Sequence, residues 1–188
     1  MLFNTLSQYS DQLAALNIFR YITFRSGGAL ITALLVSFIC GPFIISWLKL
    51  HQKKGQPIRS DGPESHLISK VGTPTMGGIM ILLALVVATL LWADLTNGYI
   101  WAALGLTVGF GIIGFIDDYI KVSSQEPDGL PGRLKLLLQV IIAFSVTLFV
   151  VNLTRDPLST SLTIPFFKNI LIDMGWFFSV FSIFVIVG

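Results

Sequence analysis

The sequence predicts an all-α, polytopic membrane protein with about five transmembrane helices, and two observations carry that expectation. Apolar residues make up 54% of the 188-residue chain and charged residues only 12%, more oily surface than a single soluble core could cover. Those apolar residues are also gathered into runs close to the roughly 20 residues that a helix needs to cross the hydrocarbon core. Nothing in the pattern repeats in tandem or falls to low complexity. A net charge of +2 is too small to imply nucleic acid as a partner. The single cysteine, Cys40, lies inside an apolar run and permits no internal disulfide.

The elements follow in order. Asp11 is the first charge and no basic cluster precedes an apolar stretch, so the start does not read as a cleavable signal peptide, and Met1 is expected to begin the mature chain. Residues 13–24 (LAALNIFRYITF) mix apolar side chains with Asn17 and Arg20, which suits a short helix lying in the interface. Four uncharged runs then read as spans: 26–48, 76–93, 99–116 and 136–154. A fifth, 169–188, is interrupted only by Asp173, which reads as a cap or interface residue. Trp47, Trp92, Trp101 and Trp176 fall near the span ends, where interfacial anchors belong.

Orientation comes from the basic residues. Lys49, Lys53, Lys54, Arg59, Lys70, Lys121, Arg133 and Lys135 put eight on the side of loops 49–75 and 117–135, while Arg20, Arg25, Arg155 and Lys168 put four on the other. The positive-inside rule makes those two loops cytosolic, the N-terminus outside and the C-terminus cytosolic. The apolar end FVIVG has no polar anchor after it, so the bundle reads as unfinished.

Two cytosolic regions can carry chemistry. Loop 49–75 is long, polar and rich in Gly and Pro between firm spans, a length that wants a purpose. At its end Thr73 suits an N-cap and Pro74 the first helical position, so the second span should open there with free N–H groups toward the cytosol. Such a terminus attracts anions, and Lys70 adds a full charge. Gly77 and Gly78 would let a ligand or helix approach closely. An ordinary capped span with a basic flank shows the same residues.

The sharper signal is Asp117-Asp118 at the cytosolic end of the third span. Adjacent acids at a membrane boundary must keep their charges apart or share a cation, and Mg²⁺ prefers carboxylates together with substrate phosphates. Consecutive helix positions diverge by about 100°, so the two acids should have different jobs. Lys121 and Lys135 add positive charge on the same face of the membrane. Acids for a metal and lysines for phosphates point to phosphoryl transfer, although acids at a span end need no function. His51 and His66, without a neighbouring cysteine, read as solvated loop residues. Gly105, Gly109, Gly111 and Gly114 read as a close-packing stripe.

Four segments, SDGPESH (60–66), KVGTPTMGGIMIL (70–82), GFIDDYIK (114–121) and IPFFK (164–168), closely resemble the phospho-N-acetylmuramoyl-pentapeptide transferase family. The likeness runs from about residue 17 to the end. DDxxK alone would indicate only the wider polyprenyl-phosphate sugar-phosphate transferase superfamily; GTPTMGG preceded by DGPESH is the specific part. The resemblance implies a ten-span fold in the bacterial cytoplasmic membrane. It also implies a Mg²⁺-dependent reaction in which undecaprenyl phosphate attacks UDP-MurNAc-pentapeptide to give lipid I and UMP. On it, Asp117 and Asp118 match the first acidic motif, where one acid deprotonates the lipid phosphate or helps order the metal. Lys70 and Thr75 match positions near the uridine end of the nucleotide, and Lys121 and Lys135 match phosphate-side lysines.

The family continues with a segment of the type NxxNLTDGLDGLA, a further catalytic Asp and a histidine-rich loop, none of which occurs here. The chain is therefore expected to be the N-terminal half, inactive alone and completed by the missing C-terminal half, with that half or a second copy in a homodimer as its partner. A noncatalytic membrane protein that assembles through its glycine-lined helices is the alternative. A small transporter fits less well, since no charged group lies at mid-bilayer.

Overall fold

A computed structural model of the chain describes residues 2–6, 14–52, 75–125, 128–154, 159–163 and 171–188. A short helix α1 (Leu2–Leu6) and a 3₁₀ helix (Ala14–Arg20) lead into α2 (Ile22–His51), α3 (Gly78–Trp92), α4 (Gly98–Ser124) and α5 (Gly132–Leu153). A two-stranded hairpin, β1 (Ser161–Thr163) and β2 (Leu171–Asp173), and α6 (Phe177–Val187) follow. Three helices, α2, α4 and α5, are long and apolar enough to cross a membrane, and α3 and α6 are shorter apolar helices. Side chains such as Phe38, Ile39 and Phe43 stand fully outward, as the all-round apolar character of these helices requires in a lipid solvent. The five apolar helices and the absence of any larger sheet among the described residues match the predicted fold class, a polytopic α-helical membrane protein.

Two compact units divide the chain: 1–96 with 114–131, and 97–113 with 132–188. In the first, α2 and α3 pack antiparallel. Gly28 and Thr32 meet Trp92, whose Nε1 donates to Thr32 Oγ1 at 2.9 Å, and a Cβ on Gly41 would come within 3.0 Å of Met80 Sδ. Ala84 and Ala88, one turn apart, are the buried face of α3; small side chains let the two backbones close, as membrane helix pairs require without a hydrophobic drive between them. Phe19 in the 3₁₀ helix and Phe24 in α2 flank the Trp92 ring, so the 3₁₀ helix is tied to the helix pair by aromatic contact. Residues 13–24 do not form one short helix: Ala14–Arg20 are 3₁₀, and Ile22–Phe24 already belong to α2.

In the second unit the first part of α4 runs antiparallel to α5. Gly109 faces Ile142, Gly98 faces Leu153, and the Tyr99 hydroxyl meets Thr154 Oγ1 at 2.7 Å. Of the predicted glycine stripe, Gly109 does the close packing. A Cβ on Gly105 or Gly114 would meet nothing within 4 Å, so those two are not packing glycines among the described residues.

Several boundaries move. The second apolar helix opens at Gly78, not at Pro74, because Met76 takes a left-handed φ of 70° and Gly77 is the N-cap. Thr73 and Pro74 lie outside the described residues. The third helix does not stop with the apolar run at residue 116; it continues to Ser124, since helical hydrogen bonding needs no apolar side chains and an Asp117–Lys121 pair at i,i+4 supports it. Gln125, at φ 57° with its Nε2 donating to Val122 O at 2.7 Å, ends it. The fifth run is not one helix. Leu171–Asp173 pair in register with Ser161–Thr163, Gly175 turns at φ 51°, and helix begins only at Phe177. The eleven residues of α6 rise about 16 Å.

Candidate functional site

The site lies within the first unit, where the end of α2, the start of α3 and the end of α4 converge. Gln52 is the C-cap of α2, its backbone N–H donating to Leu48 O at 2.8 Å. Its side chain is buried, with the residue 7% exposed, and turns to the non-helical residues ahead of α3. Oε1 accepts from the Thr75 backbone N–H at 2.9 Å, while Nε2 donates to Thr75 O and to Met76 Sδ, each at 3.4 Å. Thr75 in turn donates its hydroxyl to Asp118 Oδ2 at 3.0 Å.

Asp117, one position earlier on α4, faces elsewhere, as the 100° step between helix neighbours dictates. It is 6% exposed. Lys121 Nζ reaches its Oδ2 at 2.8 Å and the Leu130 backbone N–H its Oδ1 at 2.9 Å. The pair is shielded, with side-chain exposures of 20% for Lys121 and 8% for Asp117, so it is less weakened by water and salt than a surface ion pair. The loop that supplies Leu130 N passes so close that a Cβ on Gly129 would overlap Asp117 Oδ1 and lie 2.8 Å from Lys121 Cε. Any larger residue there would have to displace the Asp117 or Lys121 side chain.

Of the sequence-predicted residues, the structure thus brings together Thr75, Asp117, Asp118 and Lys121. Lys70 and His66 lie outside the described residues. Lys135 is half-buried on the first turn of α5, in the second unit. His51 ends a helix rather than lying in a loop, its Nδ1 on Trp47 O at 2.9 Å. Beside Gly77 and Gly78 a Cβ would meet nothing within 4 Å, so no described helix approaches closely there. Sequence reasoning missed Gln52, Gly129 and Leu130. Gln52 acts across 23 residues of sequence and looks like one more polar residue after a span; Leu130 contributes only a backbone donor. Gly129 stands in a DGLPG turn signal, which shows a turn but not what it wraps.

Adjacent carboxylates, an ammonium group, a hydroxyl and a backbone donor thus meet at one helix end of a polytopic membrane protein. Residues 70–82 match the family signature described as phospho-N-acetylmuramoyl-pentapeptide-transferase signature 1. All 188 residues are 54% identical to the phospho-N-acetylmuramoyl-pentapeptide-transferase of Granulibacter bethesdensis, covering 52% of that protein. Over 184 residues, 97% of this chain, it is 55% identical to the enzyme of the same name from Rhodopseudomonas palustris, covering 51% of it. The chain spans about half the length of the curated relatives it matches, and over that half it is similar throughout to phospho-N-acetylmuramoyl-pentapeptide-transferases.

Proposed function

We propose that this chain supplies one part of the site that transfers phospho-MurNAc-pentapeptide from UDP-MurNAc-pentapeptide to undecaprenyl phosphate, giving lipid I and UMP at the bacterial cytoplasmic membrane. A phosphate oxygen of the lipid attacks the sugar-bearing phosphorus, and the bond to the UMP oxygen breaks. The observation that carries this reading is the Asp117–Asp118 pair, turned to two different partner sets at one helix end. Such an arrangement needs no covalent intermediate, only positioning and charge.

The donor set suits Mg²⁺, which takes hard carboxylate oxygens along with substrate phosphates. Asp118 and Asp117 would hold it, and the bound ion would neutralise charge on the phosphates in transfer. No group of three or more His, Cys, Asp or Glu gathers among the described residues, so the rest of the coordination falls to substrate and to parts of the relatives that this chain does not cover. Asp117 enters either as the base toward the lipid phosphate or as a metal ligand. By the family resemblance Lys121, already on Asp117, and Lys135 would serve the phosphates, and Lys70 and Thr75 the nucleotide.

The test is lipid I formation per folded molecule, with the chain completed by the portion of a relative that it lacks. Asp117→Asn should abolish turnover while folding survives. A base would leave a pH-dependent loss; a metal ligand would let added Mg²⁺ recover part of the rate. Near-normal turnover would reduce the pair to a helix boundary. The 188-residue chain alone should show no turnover, and robust synthesis with host enzyme excluded would overturn the shared-site reading.

The same reading places loops 49–75 and 117–135 in the cytosol, on the eight-to-four distribution of basic residues. A cysteine at Asn97, exposed before α4, should then react with an impermeant thiol reagent on intact cells. Labelling only after permeabilisation would invert the topology.

A further inference from the structure

We infer that Gln52 is a positioning residue for the proposed transfer: its side-chain amide clamps the backbone of Thr75 and so sets the Thr75 hydroxyl on Asp118. The inference rests on the phosphoryl-transfer reading of that carboxylate. Three observations carry it.

Gln52 reaches both faces of one peptide residue, accepting from Thr75 N–H at 2.9 Å and donating toward Thr75 O at 3.4 Å. A primary amide can do both at once, with one acceptor oxygen and two donor protons; a carboxylate or an ammonium lacks one half of the pairing, and a hydroxyl has a single proton for the two acceptors, Thr75 O and Met76 Sδ. Gln52 is also anchored where it begins, as the cap of a 30-residue helix, so its amide is referred to a rigid element.

The residue after the clamp is strained. Met76 holds φ 70° without being glycine, a conformation that persists only where surroundings over-determine it. Met76 is buried, and its Sδ takes the second donor of the same Gln52 amide. The clamp therefore touches both sides of the kink that aims Thr75 away from the α3 axis.

Finally, Gln52 and Thr75 are the two residues that flank segment 53–74, which bears Lys70. One side chain thus joins the two described residues on either side of that segment and fixes the hydroxyl on Asp118 with them.

Two readouts test this. In the 188-residue chain in nanodiscs, exchange of the Thr75 amide should be protected, should speed at least tenfold in Gln52→Leu, and should return toward the parent rate in Gln52→Glu, which keeps the acceptor. In the completed protein, Gln52→Leu should lower kcat about tenfold with KM changed less. In a Thr75→Val background it should cost nothing further, because the hydroxyl it positions is gone. Unchanged Thr75 exchange in Gln52→Leu, or losses that simply multiply with Thr75→Val, would overturn the inference. Asp118→Asn separates the two levels. If Asp118→Asn is inactive but Gln52→Leu turns over normally, the inference alone fails; if Asp118→Asn is fully active, the underlying reading fails with it.

Discussion

The end of α4 and the hairpin before α6 both centre on aspartates that accept from a hydroxyl and a backbone N–H, yet they are built over different distances. Asp173 takes Gly175 N–H two residues on and the Thr160 hydroxyl at 2.7 Å, and it is fully exposed. It completes a local turn. Asp118 takes a hydroxyl from 43 residues away, and Asp117 a backbone donor 13 residues away plus an ammonium, in a buried setting. The first cluster is closed within one hairpin, its hydroxyl donor 13 residues back on the paired strand side. The second exists only because three elements of one unit have been brought to the same place, and that is the difference between turn chemistry and a site.

The widest contrast is in turnover. Asp117→Asn and Asp118→Asn should each lower lipid I formation by at least about a hundredfold, with unlike responses to pH and Mg²⁺, whereas Asp173→Asn should leave the rate per folded molecule unchanged. Equal sensitivity of all three would erase the distinction.

Glycine replacements sharpen it further. Gly129→Ala drives a methyl into the Asp117–Lys121 pair and should cost roughly tenfold in rate with helical circular dichroism preserved. Gly175→Ala must adopt φ 51°, at a cost of about 1 kcal/mol in stability, and should not touch turnover. A rate loss in the second, or none in the first, would reverse the roles assigned to the two loops.

The smallest effect is in acid. The Gly175 N–H first, and the Thr160 hydroxyl second, lower the pKa of Asp173, which lies outside the helical spans, below its ordinary 3.8. A group whose folded pKa is depressed adds stability that is fully present above the unfolded value and is lost as pH falls through the folded one. Asp173→Asn should therefore flatten only the acid end of the melting profile, below about pH 4, and slightly, since water screens an exposed carboxylate. A change near neutral pH would mean that Asp173 has a partner of another kind.

Much was legible in the sequence alone because it depends on solvent preference and local geometry. Apolar runs must become helices in a solvent that satisfies no backbone donor, so α2 to α5 were expected where they lie, within about four residues at each end except for α4, which runs eight residues past its apolar stretch to Ser124. The divergence of Asp117 and Asp118 follows from helix pitch, and Lys121 lies one turn on by the same rule. Tertiary structure alone decided the rest. Whether α3 began at Pro74 or at Gly78 depended on a strained Met76 that Gln52 holds from another helix. Whether the last apolar run was one helix depended on strand partners ten or so residues upstream. Which carboxylate met Lys121 and Leu130, and which met Thr75, was set by backbone donors and a buried amide whose reach across the fold leaves no periodic trace in the chain.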